Sequence, residues 1–481
     1  MSEHFDLVVI GAGPAGEKGA AQAAYFGKKV CLVERAPKPG GTAVNSGTLS
    51  ARTLRETALV FAGLRKKGLY GVEFLVRPDL TIADFMHRER QVVETSWQVI
   101  EENLERHQIT TVQGAAHFTD PRTLEVTRHG QETRQLTADA FLVATGSHPW
   151  RPPEVPFDGS VVIDSDDVLS LQAIPARMVI IGGGVMGCEF ASTFGALGVK
   201  VTIVEQQERL LADFDHDVSD TLRQEFTRQF GIQAHLGLDV TAIEVHEGLG
   251  HVTLSDGTTH FAECVLHCAG REGNTAELGL AHAGVATDAH GFIQVDDKFR
   301  SSITHIYAAG DVIGFPGLAS TSMEQARVAV CHAFELKYKQ AVSRFQPFGI
   351  WTIPEIATVG LSEHDARAQD LPCETGKTSF RANPRAQILG ETEGFVKLIF
   401  RRDDQRLLGA AIVGENACEL IHVASAVLGF GGTIDYFIQA VFSYPTLSDA
   451  YKYAAYDGLQ RLQKRIRESG GIRQTADGRS G

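Results

Sequence analysis

Two glycine clusters and two carboxylates carry the most explicit chemistry in this 481-residue chain. Gly11, Gly13 and Gly16 stand in G-x-G-x-x-G spacing, and Gly182, Gly184 and Gly187 repeat it. Glu34 lies 23 positions after Gly11, and Glu205 lies 23 positions after Gly182. In such a cluster one glycine makes a tight turn, one lets backbone approach a pyrophosphate, and one lets a helix pack on a strand. The helix that begins there offers unpaired N–H groups and its positive dipole end to phosphates. The acid at the end of the following strand can accept hydrogen bonds from both ribose hydroxyls. One G-x-G-x-x-G is a weak signal; the whole strand–turn–helix–strand–acid pattern, repeated at identical spacing, is a strong one. The chain is expected to bind two dinucleotides. At the second site Glu205 would repel a 2′-phosphate, so NADH is expected to be preferred to NADPH. Arg209, close by in sequence, could soften that preference.

The elements that position these residues follow from periodicity. Residues 1–36 and about 177–206 read as two β-turn-α-β units. Helices are expected from about Leu49 to Lys67 and from about Thr81 to His107. The run FLVATGSHPWRPP (141–153) reads as a strand that ends in Thr145-Gly146, followed by a proline-rich hinge. HVTLSDGTTHFAECVLHCAG reads as a hairpin packed on the second unit, and THIYAAGDV as a strand leading into another helix. From about Pro347 strands and amphipathic helices alternate, and the Gly-, Arg- and Ser-rich tail from about Ser469 is expected to be disordered. The expected fold is α/β, with two Rossmann-like dinucleotide-binding domains and a C-terminal α+β domain. The divisions are 1–151 with 281–345, 152–280 and 346–468, the first interrupted by the second; 469–481 is the tail.

Bulk composition narrows the partners. The chain is 43% hydrophobic and 22% charged, with a formal net charge of −14, which argues against nucleic acid and anionic membranes. No window has the ~18 uncharged apolar residues of a membrane span. The N-terminus enters the first strand without the marks of a secretory signal, and a cytoplasmic location is expected. Seven scattered cysteines form no C-x-x-C, and buried free thiols are the expected reading. No metal site is expected; His332 and His422 read as ordinary helix histidines.

The segments GAGPAG, GGTAVNSGTLSARTLRETAL, ATGSHP, GGGVMGCE, AGREGNT, IYAAGDVIG, TIPEIATVG and SYPTLSDA together resemble the flavoprotein disulfide reductase superfamily. They occur in its order and spacing over about residues 5–465. The resemblance is strongest to its flavin-dependent pyridine nucleotide transhydrogenases and dihydrolipoamide-dehydrogenase-like members. It implies FAD at the first fingerprint and NADH at the second, with NADPH as a possible substitute. By it, Gly11, Gly13, Pro14, Ala15, Gly16, Glu34 and Arg35 hold the adenosine and pyrophosphate of FAD. Gly41, Thr42, Gly47, Ala116, Ala144, Thr145 and Gly146 pass near the same cofactor. Gly310 and Asp311 meet its ribitol chain, and the helix after Leu318 and Ala319 points at the flavin. Gly182, Gly184, Val185, Met186, Gly187, Glu205, Gly270 and Arg271 serve the nicotinamide nucleotide. The C-terminal domain is implied to pair two copies in a homodimer.

The chain departs from that pattern where thiols should stand. The family's C-x-x-x-x-C positions hold Ala43 and Thr48. The lysine near flavin N5 aligns with Arg52, whose expected partner is Glu189. The C-terminal His and Glu that serve the thiols align with Tyr444 and Asp449, implied to face the flavin of the other subunit. A tyrosine with pKa near ~10 is a poor base at neutral pH. Thiols and base are thus missing together. The expected activity is an FAD-dependent oxidoreductase that takes hydride from NADH and passes it directly to a small-molecule acceptor, foremost a second pyridine nucleotide. A quinone reductase and a non-catalytic FAD- and NADH-binding sensor are the alternatives.

Overall fold

The structure, a computed structural model, describes residues 3–63, 80–128, 130 and 132–476. The apolar run after Glu3 forms β1 (Glu3–Ile10), and the chain turns at the glycines into α1 (Pro14–Tyr25) and returns as β2 (Val30–Glu34). Pro14 opens α1, where its missing N–H costs no hydrogen bond. Next come α2 (Gly41–Asn45), α3 (Thr48–Phe61) and α4 (Ile82–Arg106). A Thr81–Asp84 capping box starts α4 at the expected position. The last residues of the helix expected to reach Lys67 lie outside the described residues. β3 (Thr110–Gln113), β4 (Ala115–Asp120), β5 (Thr123–Thr127) and β6 (Arg134–Val143) complete the N-terminal part. The sheet order is β3-β2-β1-β6-β5-β4. Residues Ile306–Ala308, far along the chain, add in parallel beside β6.

The strand expected to end at Thr145-Gly146 ends at Val143, and Gly146 turns the chain at φ +70° into β7 (Ser147–Pro149). The second unit contains β8 (Val162–Asp164), β9 (Arg177–Ile181), α5 (Val185–Ala196), β10 (Lys200–Glu205), α6 (His216–Glu225) and β11 (Gln233–Leu236). β12 (Val240–His246), β13 (Leu249–Leu254) and β14 (Thr259–Ala262) form an antiparallel sheet that includes the expected hairpin. β15 (Cys264–His267) leaves that hairpin and joins the parallel sheet β11-β10-β9-β15-β8. Its residues are buried throughout, as a central parallel strand requires. β16 (Arg271–Gly273) pairs with β7, then come α7 (Leu280–Ala283), β17 (Ile306–Ala308) and α8 (Ala319–Ala333).

The C-terminal part has β18 (Phe348–Ile350), β19 (Ile356–Gly360), α9 (Glu363–Ala368), β20 (Cys373–Ser379), α10 (Pro384–Leu389), β21 (Phe395–Arg401) and β22 (Leu407–Val413). Its sheet order is β18-β19-β22-β21-β20, packed by α11 (Ala417–Gly429), α12 (Asp435–Gln439) and α13 (Ala450–Ala476). α13 runs past Ser469, where composition predicts disorder. Tyr451, Ala454 and Ala455 anchor its start in the core, and extending a nucleated helix is cheap. The side-chain amine of Lys397, almost wholly buried on β21, reaches Asp215, Asp217 and Glu363 at 3.1, 3.3 and 2.8 Å. This ties the second unit to the C-terminal sheet. Among the described residues no helix is long and apolar enough to cross a membrane.

Candidate functional site

The two glycine turns are built alike down to their hydrogen bonds. At the first, Gly11 has φ +103°, and a Cβ on Gly16 would stand 1.8 Å from the Gly11 carbonyl oxygen. At the second, Gly182 has φ +108°, and a Cβ on Gly187 would stand 1.9 Å from the Gly182 oxygen. Only glycine allows either close approach. The carboxylate of Glu34 accepts the N–H groups of Ala12 and Ala36 at 2.7 and 2.8 Å. Glu205 accepts those of Gly183 and Gln207 at 2.5 and 2.7 Å. Each acid thereby ties its strand end to its turn. A carboxylate offers about four lone-pair sites, so acceptor capacity remains for ribose hydroxyls.

A cavity of about 1200 Å³ runs from the first turn to the C-terminal sheet. It is lined by Gly11, Gly13, Pro14, Ala15, Glu34 and Arg35, then by Gly41, Thr42, Gly47 and Ala116. Ala144, Thr145, Gly146, Gly310, Asp311, Leu318 and Ala319 line its middle, with Val185, Met186, Glu189, Arg52 and Arg271. Thr145 Oγ1 is buried there without a hydrogen-bond partner. The backbone of Gly11 and Gly13 at the cavity wall, the held carboxylate of Glu34 and this orphaned hydroxyl fit a dinucleotide with a polar chain. Gly16 and Gly187 lie inside the helix–strand packing, outside the lining, and Gly182, Gly184 and Glu205 shape the second turn beside it. Gly270, at φ +100°, backs onto Trp150 rather than the cavity. Arg271 donates to the Ser147 hydroxyl and carbonyl at 2.8 and 2.9 Å, which fixes its guanidinium at the wall. Tyr444, 73% exposed, and Asp449 do not line the cavity of their own chain.

The expected Arg52–Glu189 ion pair is not formed. Glu189 Oε1 accepts the backbone N–H of Trp351 at 2.8 Å. The Arg52 guanidinium lies over the Trp351 ring, 5.0 Å from its centre, with Glu419 at 4.0 Å. A planar guanidinium gains more from stacking on an indole than an ammonium would, and it is drawn off the carboxylate. The neighbouring buried cation is Arg55, which pairs with Glu56 and Glu355 at 2.7 and 3.4 Å. With no direct cationic partner among the described residues, the Glu189 carboxyl is pushed up to about 7 by burial, against the opposing pull of the Trp351 N–H and Arg55.

That shift has a stability consequence. A carboxyl raised in the folded state contributes stability that is fully present below its unfolded pKa, near ~4.3, and is lost as pH rises through about 7. Melting temperatures recorded from pH 4.5 to 8 should therefore decline in the unmodified protein and decline less in Glu189→Gln. Parallel profiles would rule out this protonation state.

Arg209 does not serve as a phosphate clamp. It donates to the carbonyls of Phe214 and Ala212 at 3.1 and 2.8 Å, which pins it inside its own loop. Thiol chemistry has no seat in the cavity. Ala43 and Thr48 line it, and all seven cysteines are free and lie elsewhere. Burial pushes the Cys31, Cys264 and Cys418 thiols up to about 12, far from thiolate reactivity.

Sequence reasoning missed several wall residues. Trp351, Phe348 and Gly349 come from the C-terminal part, and Asp166 and Asn274 from the second unit and the loop after β16. Asn274 Nδ2 donates to the Thr145 carbonyl at 2.9 Å. The segments TIPEIATVG and AGREGNT marked two of these neighbourhoods, but nothing in their spacing singled out those side chains.

Known proteins fit this geometry. The family described as pyridine nucleotide-disulphide oxidoreductase matches residues 5–333, and its dimerisation domain matches residues 346–455. A soluble pyridine nucleotide transhydrogenase of Mycobacterium tuberculosis is 41% identical over 460 residues, covering 95% of this chain and 98% of that protein. One from Aliivibrio fischeri is 36% identical over 464 residues, covering 96% and 98%. Among solved structures, LpdA of Mycobacterium tuberculosis aligns with a TM-score of 0.86 at 27% identity, covering 94% of this chain and 99% of that one. The HOCl-induced flavoprotein disulfide reductase RclA of Escherichia coli aligns with a TM-score of 0.83 at 27% identity, covering 93% and 98%.

Proposed function

The chain belongs to the pyridine nucleotide-disulphide oxidoreductase family, and we propose that it is an FAD-dependent transhydrogenase that moves hydride between pyridine nucleotides without a thiol relay. The observation that carries this reading is the pairing of two identically built dinucleotide turns with a cavity whose thiol positions are Ala43 and Thr48. The names of the full-length relatives support it. A flavin bound there supplies reversible two-electron hydride acceptance.

The chain's own residues do the rest. The first turn and Glu34 hold the adenosine and pyrophosphate end, with Arg35, Gly41, Thr42, Gly47 and Ala116 closing around it. Asp311 hydrogen-bonds the ribitol chain, and Ala144, Thr145 and Gly146 support it. Gly182, Gly187 and Glu205 seat the exchanging nucleotide, with NADH preferred. Val185 and Met186 leave its nicotinamide end open to the cavity, and Arg271 flanks it. Glu189 and the Trp351–Arg52 stack form the wall where the nucleotides exchange. Residues 1–151 with 281–345 serve FAD, 152–280 serve the nicotinamide nucleotide, and 346–468 pair two copies. That pairing brings Tyr444 and Asp449 to the neighbouring subunit's cavity. The enzyme acts in the cytoplasm.

Stopped-flow mixing with NADH, followed by a thio-NADP analogue, tests the proposal. Flavin bleaching within seconds and fast analogue reduction are expected, with lipoamide and glutathione disulfide inert. A silent analogue with fast turnover of a soluble quinone would replace this reading by an acceptor reductase that uses the space beside Ala43 and Thr48.

A further inference from the structure

We propose that the C-terminal part carries a separate anion site that takes a phosphate-class dianion. A cavity of about 250 Å³ opens between α9, β20, the turn after β21 and α13. Arg367, Arg402 and Arg465 line it, with Glu363, Glu374 and Thr375. Arg402 Nε is buried with no hydrogen-bond partner, and among the described residues its guanidinium has no ion pair. Leaving a buried N–H without an acceptor is costly, and a ligand that accepts from it recovers that cost.

The carboxylates in the cavity do not fill this role. Glu374 accepts from Arg465 Nε at 2.8 Å. Glu363 is shared between Arg367 and the Lys397 amine, the latter at 2.8 Å. Glu374 and Glu363 thus balance Arg465 and Arg367, and Arg402 is left over. This leaves local positive charge in a chain whose net charge is −14. The unpaired guanidinium of Arg402 suits bidentate contact with a tetrahedral oxyanion, and Arg465, held by Glu374, and the Thr375 hydroxyl stand beside it. The space far exceeds the ~30 Å³ that one water occupies in the liquid. None of these residues lines the large cavity apart from this site, so the nucleotide phosphates do not account for it.

The test is calorimetric titration of the FAD-loaded protein with inorganic phosphate in saturating NAD⁺, which fills the dinucleotide positions. One phosphate per chain is expected. Arg402→Gln should weaken it at least about tenfold, and Arg402→Lys should retain part of it. NADH oxidation should be unchanged in both variants. Arg402→Gln removes a buried N–H that has no acceptor, so its melting temperature should be at least that of the unmodified protein. Phosphate should raise the melting temperature only where Arg402 is intact. Glycerol 3-phosphate as a second titrant separates a free ion from an esterified phosphoryl group, the tighter ligand naming the source. Absent binding, binding lost in saturating NAD⁺, or equal affinity in Arg402→Gln would each overturn the site.

Discussion

Replacing Gly187 by alanine should weaken NADH binding strongly while leaving FAD in place, and replacing Gly16 by alanine should weaken FAD binding to the same degree. The new Cβ would sit 1.9 Å from the Gly182 carbonyl oxygen in the first case and 1.8 Å from that of Gly11 in the second. Both obstacles are backbone atoms of the same turn, so no side chain can swing aside. The helix must move away from its strand, and the N–H groups that would meet the pyrophosphate move with it. Overpacking of this kind costs ~1–3 kcal/mol or more, so nucleotide affinity should fall by about tenfold to hundredfold. Flavin absorbance per purified chain and NADH affinity by fluorescence separate the two turns. If Gly187→Ala bound NADH normally, the second turn would not be the seat of the exchanging nucleotide.

The second large effect is on the choice of nucleotide. Glu205→Ala should lower kcat/KM for NADH by about tenfold or more, the range expected for losing hydrogen bonds to a charged group. NADPH should lose less or improve, because the carboxylate that repels a 2′-phosphate is gone. Arg209 cannot supply a compensating cation while it is bound to the Ala212 and Phe214 carbonyls, so the preference should relax rather than reverse. The Gly183 and Gln207 N–H groups lose their acceptor as well, so some loss of turn order will appear in KM. Glu205→Gln keeps a neutral acceptor and should fall between the two. An unchanged NADH-to-NADPH ratio in Glu205→Ala would refute the role assigned to this carboxylate.

These predictions rest on residues that were legible before any coordinates. A β-turn-α-β unit is local, and the distance from glycine to acid is set by one strand, one helix and one return strand. The spacing therefore puts Glu34 and Glu205 at the turn each belongs to, and the structure returns the same two hydrogen bonds at each. Element types followed the same local logic. Ends are set less sharply: the sequence places the end of β6 at Thr145-Gly146, and the strand stops at Val143.

The wall of the cavity was another matter. Glu189 and Trp351 are 162 positions apart, and Arg52 meets the same indole from a third region of the chain. Motif alignment named Arg52 and Glu189 as partners, yet the arginine lies on the ring and the glutamate holds a backbone N–H. Arg209 stood close enough in sequence to reach a phosphate, but two carbonyls of its own loop hold it. The amino-acid sequence by itself determined the two nucleotide turns, the acids that serve them and the loss of the thiol pair, because each is a matter of residue type at short range. Only the tertiary structure decided which cation, carboxylate and aromatic ring meet at the cavity wall. Those contacts join segments whose relative placement depends on how whole sheets pack, and spacing along the chain carries no record of that.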